Sequence, residues 1–138
     1  MKLLQHIQMR VDIQNNTFFK KALNKAFPEL SASDFSGISI DSRNVKPGDI
    51  FLAFKGESTD GHNYISQAKS AGASIAIIER GVETSLPSFQ AESTQKFLHD
   101  LAFAYRNQIT CPFIGITGSN GKTTTKDLLT HVLSVSMK

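Results

Sequence analysis

Apolar positions in the stretch NTFFKKALNKAF recur at helical spacing. Phe18, Phe19, Ala22, Leu23, Ala26 and Phe27 fall on one face, with Asn16 or Thr17 available as an N-cap and Pro28 as a stop. The spacing predicts an amphipathic helix with an aromatic face. Further on, in GISIDSR, Ile38 and Ile40 alternate with smaller residues, and IFLAFKG is apolar on both faces. These segments predict two strands joined by a turn at Pro47 and Gly48, the second strand being buried.

The segment NYISQAKSAGA then predicts a short helix ending near Gly72, and SIAIIE another buried strand. Strand, helix and strand thus follow in the order of a parallel βαβ unit, so the first hundred residues have the pattern of a small α/β domain. Residues 81 to 92 are polar and turn-rich, and Phe97, Leu101, Ala104 and Tyr105 mark a further helix. A new buried strand is expected at CPFIGITG. Leu128, Leu129, Val132 and Leu133 place an apolar stripe on a helix after it. One parallel strand and one helix cannot satisfy their own backbone edges or bury that stripe. Residues 109 to 138 therefore read as the start of a second domain, partly mobile for lack of its sheet.

Composition narrows the class. With 138 residues, 40% hydrophobic content and ten Phe, the chain can build a core. The net charge of +3 is spread thinly, with Lys20, Lys21 and Lys25 as a local group on a solvated helix face, which argues against nucleic-acid binding. One cysteine, Cys111, excludes an internal disulfide and suits a reducing compartment, and its place at the start of an apolar strand suggests plain packing. The N-terminal MKLLQHIQMRVDIQ is broken by polar residues before a signal-peptide core forms. No run approaches the roughly 18 apolar residues of a membrane span. A soluble, cytoplasmic protein is expected, without membrane insertion.

The segment TGSNGKTT, set between an apolar stretch and a helix, has the parts of a phosphate cradle. Glycines permit close backbone approach, successive N–H groups point inward, and the helix N-terminus adds positive potential. Lys122 would meet the outer phosphates and the Thr123 hydroxyl a magnesium ion. The pattern departs from strict G-x-x-x-x-G-K-[ST], because Ile116 stands six places before Lys122 and Gly118 four before it.

A second polar group lies in SIDSRNVKPGDIFLAFKGESTDGHNYI. Asp41, Ser42 and Arg43 leave the end of one predicted strand, and Gly56 to His62 leave the end of the next. Loops after neighbouring strand ends often form a ligand crevice, and Arg with hydroxyls and glycine N–H groups suits a pyrophosphate or nucleotide. The plainer alternative is that Asp41–Arg43 and Asp60–His62 only stabilise turns. His62 has no partners at metal-ligand spacing.

Taken together, DSRNVKPGDIFLAFKGESTDGHNYISQAKSAGA and the later ITGSNGKTTTKDLL closely resemble the Mur ligases of peptidoglycan synthesis, from about Gly37 to Leu133. The resemblance implies an α/β fold in which a small N-terminal substrate domain, residues 1–108, is followed by the first strand, P-loop and helix of a truncated central ATPase domain, residues 109–138. The family's closing C-terminal domain would be absent. It further implies that Ser42 and Arg43 contact a UDP-sugar, with Glu57, Ser58, Thr59 and Asp60 on the neighbouring loop. Gly118, Ser119, Asn120, Gly121, Lys122, Thr123 and Thr124 would wrap the phosphates of ATP, Lys122 acting catalytically by offsetting their charge and Thr123 holding Mg2+.

In such ligases ATP phosphorylates the substrate's terminal carboxylate and an amine attacks the acyl phosphate, giving an amide, ADP and phosphate, with stabilisation mainly electrostatic. The implied partners are a UDP-N-acetylmuramoyl-peptide and D-alanyl-D-alanine, in a monomeric full-length ligase. Ser119 and TTTKDLL favour D-alanyl-D-alanine over the third amino acid of the peptide as the incoming group. The family's remaining catalytic groups would lie beyond residue 138, so the chain by itself is expected not to ligate. Two competing readings are a non-catalytic UDP-sugar-binding module and an unrelated P-loop NTPase, the latter disfavoured by the long DSR to DGH match.

Overall fold

The computed structural model describes residues 10–30 and 34–136, so residues 1–9 of the N-terminal stretch read above and the terminal Lys138 lie outside the described residues. Five strands, β1 (Arg10–Asp12), β2 (Gly37–Ser39), β3 (Ile50–Leu52), β4 (Ile75–Ile78) and β5 (Ser88–Gln90), form a sheet in that order. β1 runs antiparallel to β2, and the other three pairings are parallel. The helices are α1 (Asn16–Ala26), α2 (Ile65–Ser70), α3 (Thr94–Arg106) and α4 (Lys122–Ser136), with a 3-10 turn at Gly61–Tyr64 leading into α2.

Strand alternation assigns the two cores. On β3, Ile50 and Leu52 join Ile77 of β4 on one face, where α1 contributes Phe19, Ala22 and Leu23 and α3 contributes Phe97, Leu101 and Ala104. Phe51 and Ala53 point to the other face, packing with Ala76 and Ile78 and with Ile65 and Ala68 of α2. Helices thus cover both faces of a mostly parallel sheet, which is why β3 and β4 read as unbroken apolar runs. Among the aromatic residues of the first core, Phe27 stacks on Phe97 with ring centroids 4.2 Å apart.

Several details differ from the sequence expectations. The cap of α1 is Asn15, one residue earlier than expected, whose side chain accepts from the Phe18 N–H at 3.1 Å. Pro47 and Gly48 do turn the chain into β3, but β2 and β3 are parallel, so residues 40–49 cross back along the sheet. β1 and β5 are strands of three residues, too short to show alternation, and β5 lies within the stretch read as turns.

The strand expected at CPFIGITG does not form. Residues 112–118 make no ladder, and Phe113 and Ile114 are 57% and 60% exposed. A strand forms only where a neighbour takes up its N–H and C=O groups, and no described segment pairs with this one. Cys111 is accordingly exposed rather than packed. The stripe on α4 is uncovered too, with Leu128, Val132 and Leu133 exposed.

At the N-terminal ends of the parallel strands lies an ion pair. Arg10 Nε and Nη2 donate to Asp49 Oδ2 and Oδ1 at 2.6 and 2.9 Å. Asp49 is fully buried, and its Oδ2 also accepts the Lys46 N–H at 2.8 Å. Hydrogen bonds to Asp49 and Asp12 push the Arg10 guanidinium above its ordinary range. Removing Asp49 leaves the mostly buried Arg10 guanidinium with the half-exposed Asp12 as its remaining partner, so Asp49→Ala is expected to lower stability by an amount toward the lower end of about 3–5 kcal/mol in urea unfolding. An unchanged midpoint would show that Arg10 finds water instead.

Candidate functional site

The C-terminal ends of β2 and β3 open onto a cavity of about 510 Å³. Ile40, Asp41, Ser42 and Arg43 line it from the chain leaving β2. Phe54, Gly56, Thr59 and Gly61 line it from the chain leaving β3, with Phe51 of β3 and with Tyr64 and Gln67 at the start of α2. A crevice at this end of a parallel sheet is the usual ligand position in open α/β folds.

Local hydrogen bonds shape both loops. Asp41 Oδ1 accepts from the Arg43 N–H and from Arg43 Nε, both at 2.9 Å, and Oδ2 accepts from Nη2 at 2.6 Å. The guanidinium beside Asp41 holds its carboxyl below the usual carboxylate range, while Arg43 itself remains exposed at the mouth. Ser42 is buried, and its Oγ–H donates to Gln67 Oε1 at 2.9 Å. On the second loop, Gly56 N donates to Thr59 O at 2.8 Å and Gly61 N to Phe54 O at 2.7 Å. A Cβ at residue 61 would stand 2.7 Å from Phe54 O and 2.8 Å from Phe54 N, so the loop closes this tightly only on glycine.

A polar chain runs from that loop to α3. Asp60 Oδ1 accepts from the His62 backbone N–H at 2.9 Å and contacts His62 Nδ1 at 2.7 Å, while Oδ2 accepts from Arg80 at 3.0 Å. His62 is buried, and its Nε2 accepts the Glu79 N–H at 3.0 Å, so Nδ1 carries the ring proton and donates to Asp60. Glu79 Oε1 in turn accepts from the N–H and hydroxyl of Thr94, at 2.8 and 2.7 Å, at the N-terminus of α3. Bonds from Thr94 hold the Glu79 carboxyl below its ordinary value. The Asp60 carboxyl is held at about 2, first by the His62 backbone N–H, then by the ring and Arg80.

The phosphate-loop residues stand apart from this cavity, none of Gly118 to Thr124 lining it. Gly118 and Gly121 adopt φ of 145° and 75°, which a side chain would strain, and open space surrounds the position of a Gly121 Cβ. α4 begins at Lys122, with Thr125 N donating to Gly121 O at 2.9 Å, and Lys122 Nζ donates to Gly118 O at 2.5 Å. The loop and first turn are exposed.

Residues 34–108, which carry both cavity loops, match the Mur ligase family, catalytic domain. The chain belongs to the Mur ligase family. Over 102 residues it is 44% identical to the UDP-N-acetylmuramoyl-tripeptide–D-alanyl-D-alanine ligase of Synechocystis sp., covering 72% of this chain and 22% of that protein. Over 99 residues it is 40% identical to the UDP-N-acetylmuramoyl-L-alanyl-D-glutamate–2,6-diaminopimelate ligase of Aquifex aeolicus, covering 70% and 20%. Among solved structures, MurF from Acinetobacter baumannii superposes with a TM-score of 0.69 at 34% identity, covering 83% of this chain and 27% of that one. MurF ligase from Thermotoga maritima, solved in complex with ADP, gives 0.63 at 38% identity, covering 70% and 23%. The chain therefore spans about a quarter of these Mur ligases or less.

Of the residues singled out from sequence, Ser42, Arg43 and Thr59 share the cavity. Glu57 and Ser58 are exposed on the loop outside its lining, and Asp60 turns its carboxylate to His62 and Arg80. Tyr64 and Gln67, three apart at the start of α2, were missed, although that spacing puts both on one side of the first turn.

Two outcomes are expected. Gly61→Ala forces the loop away from Phe54, lowering stability by about 1–3 kcal/mol in chemical denaturation. For Asp60 the folded pKa is depressed, so its contribution is complete above the ordinary value of about 4 and is lost as pH falls through about 2. The melting-temperature advantage of the wild type over Asp60→Asn should therefore hold at neutral pH and shrink across that acidic window. A gap that is constant down to pH about 2 would contradict it.

Proposed function

We propose that this chain is the N-terminal part of an ATP-dependent, ADP-forming ligase that joins D-alanyl-D-alanine to UDP-N-acetylmuramoyl-tripeptide, and that the cavity holds the UDP end of that substrate. The observation that carries this is the placement of Ser42, Arg43 and Thr59 around one cavity at the C-terminal ends of β2 and β3, within the segment matched to the family. Asp41 takes hydrogen bonds from Nε and Nη2 of Arg43, and Nη1 has no partner among the described residues. An oriented guanidinium with free protons at the mouth suits a diphosphate. In this reading residues 1–108 are the substrate domain and 109–138 open the ATPase domain.

The loop from Gly118 to Thr124 fits a nucleotide triphosphate. Its glycines hold the backbone in conformations open to close approach, and the first N–H groups of α4 are free of intrahelical partners. Bound ATP would supply the phosphoryl group and Mg2+ a countercharge. Lys122 would leave Gly118 O to meet the outer phosphates, and the Thr123 hydroxyl would face the metal. Since a UDP-sugar and ATP are both cytoplasmic, the proposal places the protein there.

The identity to the diaminopimelate ligase of Aquifex aeolicus supports a second reading, in which the incoming group is the third amino acid of the peptide. Full-length protein should release ADP when given the tripeptide substrate together with D-alanyl-D-alanine. ADP release that instead requires UDP-N-acetylmuramoyl-L-alanyl-D-glutamate together with diaminopimelate or lysine would select the second reading. For the cavity, titration of the 138-residue chain with UDP-N-acetylmuramoyl-tripeptide should shift the Ser42, Arg43 and Thr59 amide resonances. Arg43→Ala should weaken binding about tenfold or more, the loss expected for a charge-assisted contact. Shifts confined elsewhere would remove the cavity from the reading.

A further inference from the structure

Ser42 has one hydroxyl proton, and it is already engaged, donating to Gln67 Oε1 at 2.9 Å from a buried position in the cavity wall. A hydroxyl so held offers a ligand only its lone pairs. Phosphate oxygens are acceptors as well, so Ser42 and a diphosphate have no proton between them unless the Gln67 bond breaks. Gln67 lines the same cavity, and its amide Nε2 has no partner among the described residues. Side by side, the pair presents an acceptor and a donor, which suits the mixed edge of a nucleoside better than a phosphate.

We propose that Gln67 is a positioning residue that fixes the hydrogen-bond polarity of Ser42, so that Ser42 accepts from a donor on the nucleoside part of the ligand while the diphosphate is left to Arg43. The donor is the ribose 2′-hydroxyl or the ring N–H of uracil. This rests on the reading of the cavity as a UDP site and divides the labour within it. It also separates Ser42 from Arg43, its neighbour in sequence, although the two stand together in the DSR segment. The bond joins residues 25 apart in the chain, so it depends on α2 packing beside the loop that follows β2.

The test is a binding titration of the 138-residue chain with UDP, 2′-deoxy-UDP, 3-methyl-UDP and inorganic pyrophosphate, for the wild type, Gln67→Leu and Gln67→Glu. In the wild type, one of the two analogues lacking a donor should bind about three- to tenfold more weakly than UDP, and which one identifies the group read. Gln67→Leu releases the Ser42 hydroxyl, which keeps its lone pairs but no longer has them aimed at the nucleoside, so that difference should fall to about twofold or less, with pyrophosphate binding within about twofold of wild type. Gln67→Glu still accepts from Ser42 and should keep the difference, its added charge cancelling in the ratio of two diphosphates.

Retention of the difference in Gln67→Leu, or equal weakening of UDP and pyrophosphate, overturns the proposal. Wild-type protein that binds UDP and both analogues alike overturns it while leaving the UDP site intact. Wild-type protein that does not bind UDP removes the site and the proposal together.

Discussion

The fold depends on the pairing of Arg10 with Asp49 at the N-terminal ends of the parallel strands. Bringing two charges out of water costs several kcal/mol each, which only a close, fully hydrogen-bonded geometry offsets. Here both Asp49 oxygens meet Arg10, and one also takes the Lys46 N–H. Gly37 lies over the pair, where a Cβ would stand 2.7 Å from Arg10 Nη2 and 2.8 Å from Asp49 Oδ1. Around it, Ser36 N bonds to Gly48 O, Gly48 N to Gly72 O and Ser74 N to Asp49 O. Segments entering β2, β3 and β4 are thus tied at one end, together with β1. A slip of one residue at β1 or β3 would separate the charges, so the pair selects the register that places Ile38 opposite Ile50.

Anchoring one end of parallel strands determines which end is left for loops. The chain leaving β2 and the chain leaving β3 emerge on the side opposite Asp49, and there they diverge enough to enclose the cavity. Its floor is apolar, through Ile40, Phe51 and Phe54, and its rim polar, through Asp41, Arg43 and Thr59. The loop after β3 is braced from behind by Asp60, His62, Glu79 and Thr94, a hydrogen-bonded relay in which His62 and Thr94 are buried and Asp60 and Glu79 half-buried. The hydrogen bonds of Asp60 and His62 hold the cavity wall, which is what the turn-stabilising alternative raised for them from sequence describes.

The apolar pattern made much of this legible. Helical spacing located α1 and α3, unbroken apolar runs located β3 and β4, and strand-end reasoning led to Ser42, Arg43 and Thr59. What stayed hidden depends on contacts distant in sequence. Nothing near Arg10 announces Asp49, 39 residues away, and a three-residue strand has too few positions for alternation to show. Gln67 reads as an ordinary polar helix residue until its carbonyl is seen against Ser42. The strand expected at residues 111–118 failed for the converse reason: local apolar character was present, but the partner that turns such a segment into a strand was not among the described residues.

The two groups of predicted site residues differ in how they are held, and that difference bears on what each can do. The cavity is fixed by bonds spanning 25 residues between Ser42 and Gln67, 17 between His62 and Glu79, and 20 between Arg80 and Asp60. In the proposed reading a ligand entering it would meet a wall ordered when the domain folded, so little conformational entropy would be lost in that wall on binding. Around the phosphate loop the bonds are local, Lys122 to Gly118 and Thr125 to Gly121, each four residues apart. Helix α4 is exposed along its apolar stripe, and a helix of that length is marginal when packing does not support it. In the proposed reading a phosphate bound there would have to displace Gly118 O from Lys122. Arg43 at the mouth of the cavity resembles Lys122 in this respect, its guanidinium being exposed and held by bonds to Asp41 two residues away, so the long-range ordering belongs to the cavity wall and not to its charged group.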